Sequence, residues 1–131
     1  MARIHFIYST MNAGKSTALL QTNFAYLEKG MRTVLFTSEK DNRYGNSEIV
    51  SRIGLKSKAE TFKNSDNLFD CVSKAHTKNA IDCVMIDEAQ FLTKDQVHQL
   101  GRVVDELDVT VLAYGIRTDF RGELFEGSRY L

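Results

Sequence analysis

The chain has 131 residues, with 17 Lys and Arg against 17 Asp and Glu, so its formal net charge is zero. That length suits one compact domain spanning residues 1–131, able to bury roughly two-thirds of its unfolded surface. The neutral balance offers no basic excess for nucleic acid, and no apolar run nears the ~20 residues of a membrane span. The opening "MARIHFIY" is too short and mixed for a secretion signal, and a strand explains it better. Cys71 and Cys83 lack the spacing of a metal pair, and the three histidines are scattered. Both cysteines are expected as reduced core residues of a cytoplasmic protein.

In chain order, Arg3 to Tyr8 reads as a buried strand. Ser16 to Lys29 reads as a helix, with Leu20, Phe24 and Leu27 at helical spacing and Gly30 as its stop. "RTVLFT", Arg32 to Thr37, is a second strand. Ser38 to Val50 is polar and reads as a mobile loop, and Ser51 to Phe62 has room for one or two short strands. Asn67 to His76 predicts a helix capped by Asn67, with Leu68, Val72 and Ala75 inward. "DCVMI", Asp82 to Ile86, is a further buried strand. Thr93-Lys94-Asp95-Gln96 has the form of a capping box, opening a helix with Val97, Leu100, Val104 and Leu107 on one face. "TVLAY", Thr110 to Tyr114, is another strand, followed by a polar, glycine-bearing tail with spaced aromatics. Strands alternating with helices predict an α/β fold with a mostly parallel sheet covered on both faces. No internal repeat or linker divides the chain.

Two stretches carry chemistry. The first is "STMNAGKST", Ser9 to Thr17, lying between a predicted strand and a predicted helix. Gly14-Lys15-Ser16 matches the end of a phosphate-binding loop, in which main-chain amides turn inward to phosphate oxygens and glycine leaves them room. Ser9 stands where that pattern has its first glycine; serine is small but enters left-handed backbone angles at a cost. Ser9, Thr10, Met11, Asn12, Ala13, Gly14, Lys15, Ser16 and Thr17 are therefore the candidate nucleotide-binding loop. The following helix start adds partial positive charge. In such a loop Lys15 reaches the β- and γ-phosphates and Ser16 binds magnesium. The bland alternative is a strand–helix turn with a chance "GKST".

The second stretch is "CVMIDEAQF", an apolar strand running into Asp87-Glu88. In phosphate-loop proteins an acid at the tip of a neighbouring strand holds magnesium, often through water, and Asp87 fits. Glu88, one residue on, suits general-base work on a hydroxyl or water. Asp87, Glu88, Ala89 and Gln90 thus join the nucleotide-binding candidates. The alternative is a solvated loop that merely begins with two acids. "DEAQ" also raises the tetrapeptide of DEAD-like helicases, but those motors need two such domains, and zero net charge does not favour strand tracking.

Taken together, "MNAGKST", "DNRYG", "IDEAQF" and "YGIRTDFRGELF" resemble, in order and spacing, the type II thymidine kinases, over essentially the whole chain. Bacterial members are similar in carrying a serine-type loop. The resemblance implies a RecA-like P-loop core, usually a tetramer, that transfers the γ-phosphate of ATP to the 5′-hydroxyl of thymidine or deoxyuridine. By matching position it implies that Glu88 is the base, that Lys15 and Ser16 hold phosphates and Mg2+ with Asp87 in support, that Arg43 neutralises the moving phosphoryl group, and that Asp41 helps order the metal's waters. Met11, Phe91, Ile116, Phe120 and Phe125 would enclose the pyrimidine, which suits aromatic and sulfur faces; the lesser alternative for Phe120 and Phe125 is ordinary core packing. Family members are inhibited by thymidine triphosphate. They also carry a C-terminal Zn2+-binding lobe with a lasso loop over the base, and none of its zinc ligands lies within residues 1–131. A core without that lobe is expected to lose affinity and base selectivity. The competing expectations are another P-loop phosphotransferase or ATPase, and a non-catalytic nucleotide-binding module; an aromatic base pocket argues against the ATPase and Glu88 against the binder.

Overall fold

The computed structural model describes residues 2–9, 15–38, 48–50 and 55–116. Seven strands and three helices follow in the order β1 (Ile4–Ser9), α1 (Lys15–Glu28), β2 (Thr33–Ser38), β3 (Glu48–Val50), β4 (Lys56–Lys58), β5 (Glu60–Phe62), α2 (Leu68–Lys78), β6 (Cys83–Ile86), α3 (Lys94–Leu107) and β7 (Thr110–Ile116) among the described residues. A one-turn 3-10 helix, Ala89–Phe91, lies between β6 and α3. The fold is α/β: a five-stranded parallel sheet, ordered β1-β7-β6-β2-β5, is flanked by helices, and β3 and β4 form a small antiparallel pair.

Strand alternation sorts the sheet's side chains into two cores. Val84, Ile86, Val111 and Ala113 face α2 and α3, where Leu68, Val72, Leu100 and Val103 complete the larger cluster. Cys83, Met85, Leu112 and Tyr114 face the other way, against Leu19 and Leu20 of α1 and Ile49 of β3. Each of the fully buried leucines contributes about 1.5–3 kcal/mol by leaving water. Both faces are covered, as continuous apolar strands require.

The helix ends follow from local chemistry. Gly30, at φ +78°, closes α1 with Gly30 N donating to Leu27 O and Met31 N to Tyr26 O, the paired bonds of a Schellman end. Asn67 Oδ1 accepts from Asp70 N at the start of α2. Thr93 and Gln96 form the reciprocal capping box at 3.1 Å each way. Gln96 is buried because its amide also donates to Lys63 O and Asp66 O, tying α3 to the loop before α2.

Four expectations need correction. On α1, Leu20 is buried, but Phe24 and Leu27 are exposed and the inward partners are Leu19 and Asn23. Asn23 tolerates burial because Thr33 Oγ1 donates to its side-chain oxygen at 2.5 Å. On α3, Val97, Leu100, Val104 and Leu107 do pack on the core, and the correction is that Val103 is fully buried beside them. Cys71 is exposed, off the Leu68–Val72 stripe of α2, whereas Cys83 is buried and free. Burial pushes the Cys83 thiol up to about 11. The fourth correction concerns sheet order. β6, which leads into the acidic pair, is not the neighbour of β1; β7 lies between them.

Candidate active site

All five sheet strands are parallel, so their carboxyl ends share one edge, the usual ligand edge of an open α/β sheet. β1 reaches that edge at Ser9, and α1 begins at Lys15, with the five positions 10–14 between them. β6 reaches it at Ile86, and the chain there turns sharply. Asp87 N donates to Phe36 O at 2.8 Å, extending the β6–β2 ladder by one bond. Asp87 Oδ1 accepts from Glu88 N at 3.0 Å. Glu88 then adopts φ 61° and ψ 42°, the left-handed region, where a non-glycine residue costs of order 1–2 kcal/mol.

Both acids are buried, each 4% exposed. A buried carboxylate needs polar partners, and Gln90 Nε2 donates to Glu88 Oε2 at 2.9 Å. Gln90 is itself 3% exposed. The turn also spans the strand that separates β6 from β1. At Gly115 of β7 an added Cβ would sit 3.0 Å from Gln90 Oε1, 3.2 Å from Gln90 N and 3.4 Å from Ala89 Cβ. Glycine at this position is what lets the acidic turn lie against the end of β7. The next residue, Ile116, is paired with Ser9 of β1. Thus the turn after β6 comes within one strand position of the start of the loop after β1.

A family model described as thymidine kinase matches residues 2–131. The chain belongs to the thymidine kinase family. It is 57% identical over 131 residues to the thymidine kinase of Escherichia coli strain K12, covering all of this chain and 64% of that protein. It is 58% identical over the same length to the thymidine kinase of Photobacterium profundum, of which it covers 68%, and 53% identical to that of Shewanella oneidensis, again covering 68%. The chain therefore spans about two thirds of the length of the relatives it matches, and just under two thirds of the Escherichia coli protein.

Within this family member the described residues bring together Ser9, Lys15, Asp87, Glu88, Ala89, Gln90, Phe91 and Ile116 as strand-end, helix-start or turn positions on one sheet edge. Lys15 and Ser16 open α1, and Thr17, in its first turn, is half-buried. Phe91 closes the 3-10 turn and is half-buried. Thr10, Met11, Asn12, Ala13, Gly14, Asp41, Arg43, Phe120 and Phe125 lie outside the described residues. Sequence reading missed Thr37 and Ser38, buried polar residues ending β2 beside the Asp87–Phe36 bond. Its one available signal was an apolar strand closing on two hydroxyls. It also missed Gly115, which carries no signal except as a glycine inside a strand. A groove of about 650 Å³ between β1 and α3, lined by Ile4, Phe6, Val97, His98, Arg102 and Asp105 among others, shares no residue with the acidic turn. Among the described residues no helix is long and apolar enough to cross a membrane.

Proposed function

We propose that the chain carries out Mg-ATP-dependent phosphorylation of the 5′-hydroxyl of thymidine or deoxyuridine, as part of pyrimidine salvage for DNA synthesis. The observation that carries this reading is the buried Glu88 carboxylate, held in a left-handed turn directly after Asp87 on the edge where β1 gives way to α1. A nucleotide binder has no use for a strained, buried carboxylate beside the metal acid, whereas phosphoryl transfer to an alcohol does. Family membership supplies the acceptor: the relatives are thymidine kinases.

Residues Ser9 to Thr17 would cradle the phosphates with their amides and the positive end of α1. Lys15 would hold the β- and γ-phosphates, and Arg43 would offset charge on the moving group. Magnesium usually keeps several waters and takes only one or two protein carboxylates. Asp87 with the Ser16 hydroxyl fits that pattern, and among the described residues no group of three or more His, Cys, Asp or Glu could hold a metal unaided. An ion held by Asp87 and Ser16 would supply charge neutralisation for the transferring phosphoryl group. Met11, Phe91, Ile116, Phe120 and Phe125 would face the base. The acceptor O5′ then forms a bond to the γ-phosphorus as the bond from that phosphorus to the β,γ-bridging oxygen breaks. The hydroxyl proton passes to Glu88, and ADP and the nucleoside monophosphate leave. We place this chemistry in the cytoplasm, in a homotetramer, under feedback by thymidine triphosphate.

The test is ADP release from this chain with thymidine, with deoxycytidine and with no nucleoside. Release that depends on thymidine supports the reading. Equal release in all three would make the protein an ATPase, and none in any would leave a binding module.

A further inference from the structure

We infer that Gln90 is a positioning residue for the Glu88 carboxylate, and that the bare backbone of Gly115 keeps it in place. The inference rests on the reading of Glu88 as the base. Glu88 has a flexible side chain, and a base must present one oxygen in one direction at the moment of transfer. Gln90 Nε2 donates to Glu88 Oε2 at 2.9 Å, from a site 3% exposed. An ionised carboxylate can only accept, so the amide nitrogen must be the end that faces Glu88. The amide oxygen therefore faces β7, where a Cβ on residue 115 would stand 3.0 Å from it. The amide is confined between a carboxylate on one side and the strand backbone on the other. Engaging Oε2 in this way fixes the carboxylate plane, and with it the direction in which Oε1 presents its lone pairs. The two residues are held in one short turn, in which Phe91 N donates to Glu88 O at 3.0 Å across Gln90.

A merely structural role would lower stability and leave the chemical step alone; a positioning role acts through Glu88. The experiment is steady-state kinetics and thermal melting on the chain carrying Gln90→Leu, Gly115→Ala, Glu88→Gln and the two pairwise combinations with Glu88→Gln. Gln90→Leu is expected to lower kcat by about ten-fold, with both KM values changed by less than about two-fold. Gly115→Ala, which presses the amide from the strand side, is expected to lower kcat in the same way but less. Neither change should slow the Glu88→Gln protein further, since the group they position is already gone. Wild-type kcat in Gln90→Leu, or the same fractional loss with and without Glu88, would overturn the inference while leaving Glu88 as the base. Full kcat in Glu88→Gln would remove the base reading and this inference with it. A readout independent of turnover is the side-chain amide proton resonance of Gln90, identified by its loss in Gln90→Leu. It should move upfield in Glu88→Ala, and an unchanged position would also overturn the inference.

Discussion

Two residues other than glycine have left-handed backbones among the described residues, Glu88 at φ 61° and Asp108 at φ 56°. Their dihedrals are nearly the same, with ψ 42° in both. Their settings are not. Asp108 is exposed and ends α3, where the chain must reverse its winding and a short polar side chain tolerates the left-handed region. Its carboxylate also accepts from Ala2 N at 3.1 Å, near the start of β1. Glu88 lies two residues past the end of β6, at the start of the 3-10 turn, and glutamate has no preference for its conformation. Its buried carboxylate accepts from Gln90 Nε2, in the turn at the carboxyl-end edge of the sheet. One left-handed residue serves the chain path; the other is the one we propose serves the chemistry.

The comparison can be broken most directly at Glu88. Glu88→Gln keeps the shape, the backbone preference and an acceptor for Gln90, and removes the base. It should lower thymidine-dependent kcat by about 10²–10⁴-fold with ATP affinity nearly intact. The corresponding Asp108→Asn should leave kcat unchanged. A kcat loss at Asp108 as large as at Glu88 would mean that the two left-handed residues do not differ in role.

A smaller effect is expected from alkali, and it lies outside both turns. Burial holds the Cys83 thiol at about 11 against an ordinary value of 9.0. Between those values the native chain keeps a proton that the unfolded chain has released. Stability therefore falls as pH rises through that window, by up to about 2 kcal/mol from this group. Tyr26 and Tyr114, also raised by burial, add to the decline at its alkaline end. Urea titrations from pH 8 to pH 11 should show a shallower fall for Cys83→Ala than for the wild type; parallel curves would rule out the thiol. The Glu88 and Asp108 variants should run parallel to the wild type in the same experiment.

The smallest effects sharpen the comparison from the stability side. Asp108→Ala should cost about 1 kcal/mol, since alanine gains nothing in the left-handed region and loses the bond to Ala2. Asp108→Gly should be within about 0.5 kcal/mol of the wild type. Glu88→Gly should match or exceed wild-type stability while losing turnover, because it relieves the backbone and deletes the carboxylate. Denaturant melts of the three variants check these signs. A marked loss of stability in Glu88→Gly would mean that the turn is held for structure.

The parts of the molecule written in local chemistry were legible in the sequence. "CVMI" could only be a buried strand, Gly30 and Asn67 mark helix ends, and the Thr93–Gln96 box is a four-residue signature. Asp87 and Glu88 stood out because two acids directly after an apolar strand have few structural uses. What depends on the path of the chain was not legible. Nothing near β6 announces that β7, the last described strand in sequence, inserts between it and β1. The burial of Asn23 depends on Thr33 in another element, so α1 looked as though Phe24 and Leu27 should turn inward. Gly115 looked like the first residue of a polar tail, and only the approach of Gln90 at 3.0 Å explains it. The left-handed backbone of Glu88 had no sequence signal, since glutamate has no preference for it.

Glu88 is proposed to be the base of a thymidine-dependent phosphoryl transfer. The measurement that tests it most directly is a single-turnover comparison of the wild-type chain and Glu88→Gln, with ATP, magnesium and thymidine, alongside calorimetric titration of ATP into each. The wild type should form thymidine monophosphate, the variant should form it at a rate lower by about 10²-fold or more, and both should bind ATP similarly. Equal rates of product formation in the two proteins would contradict it.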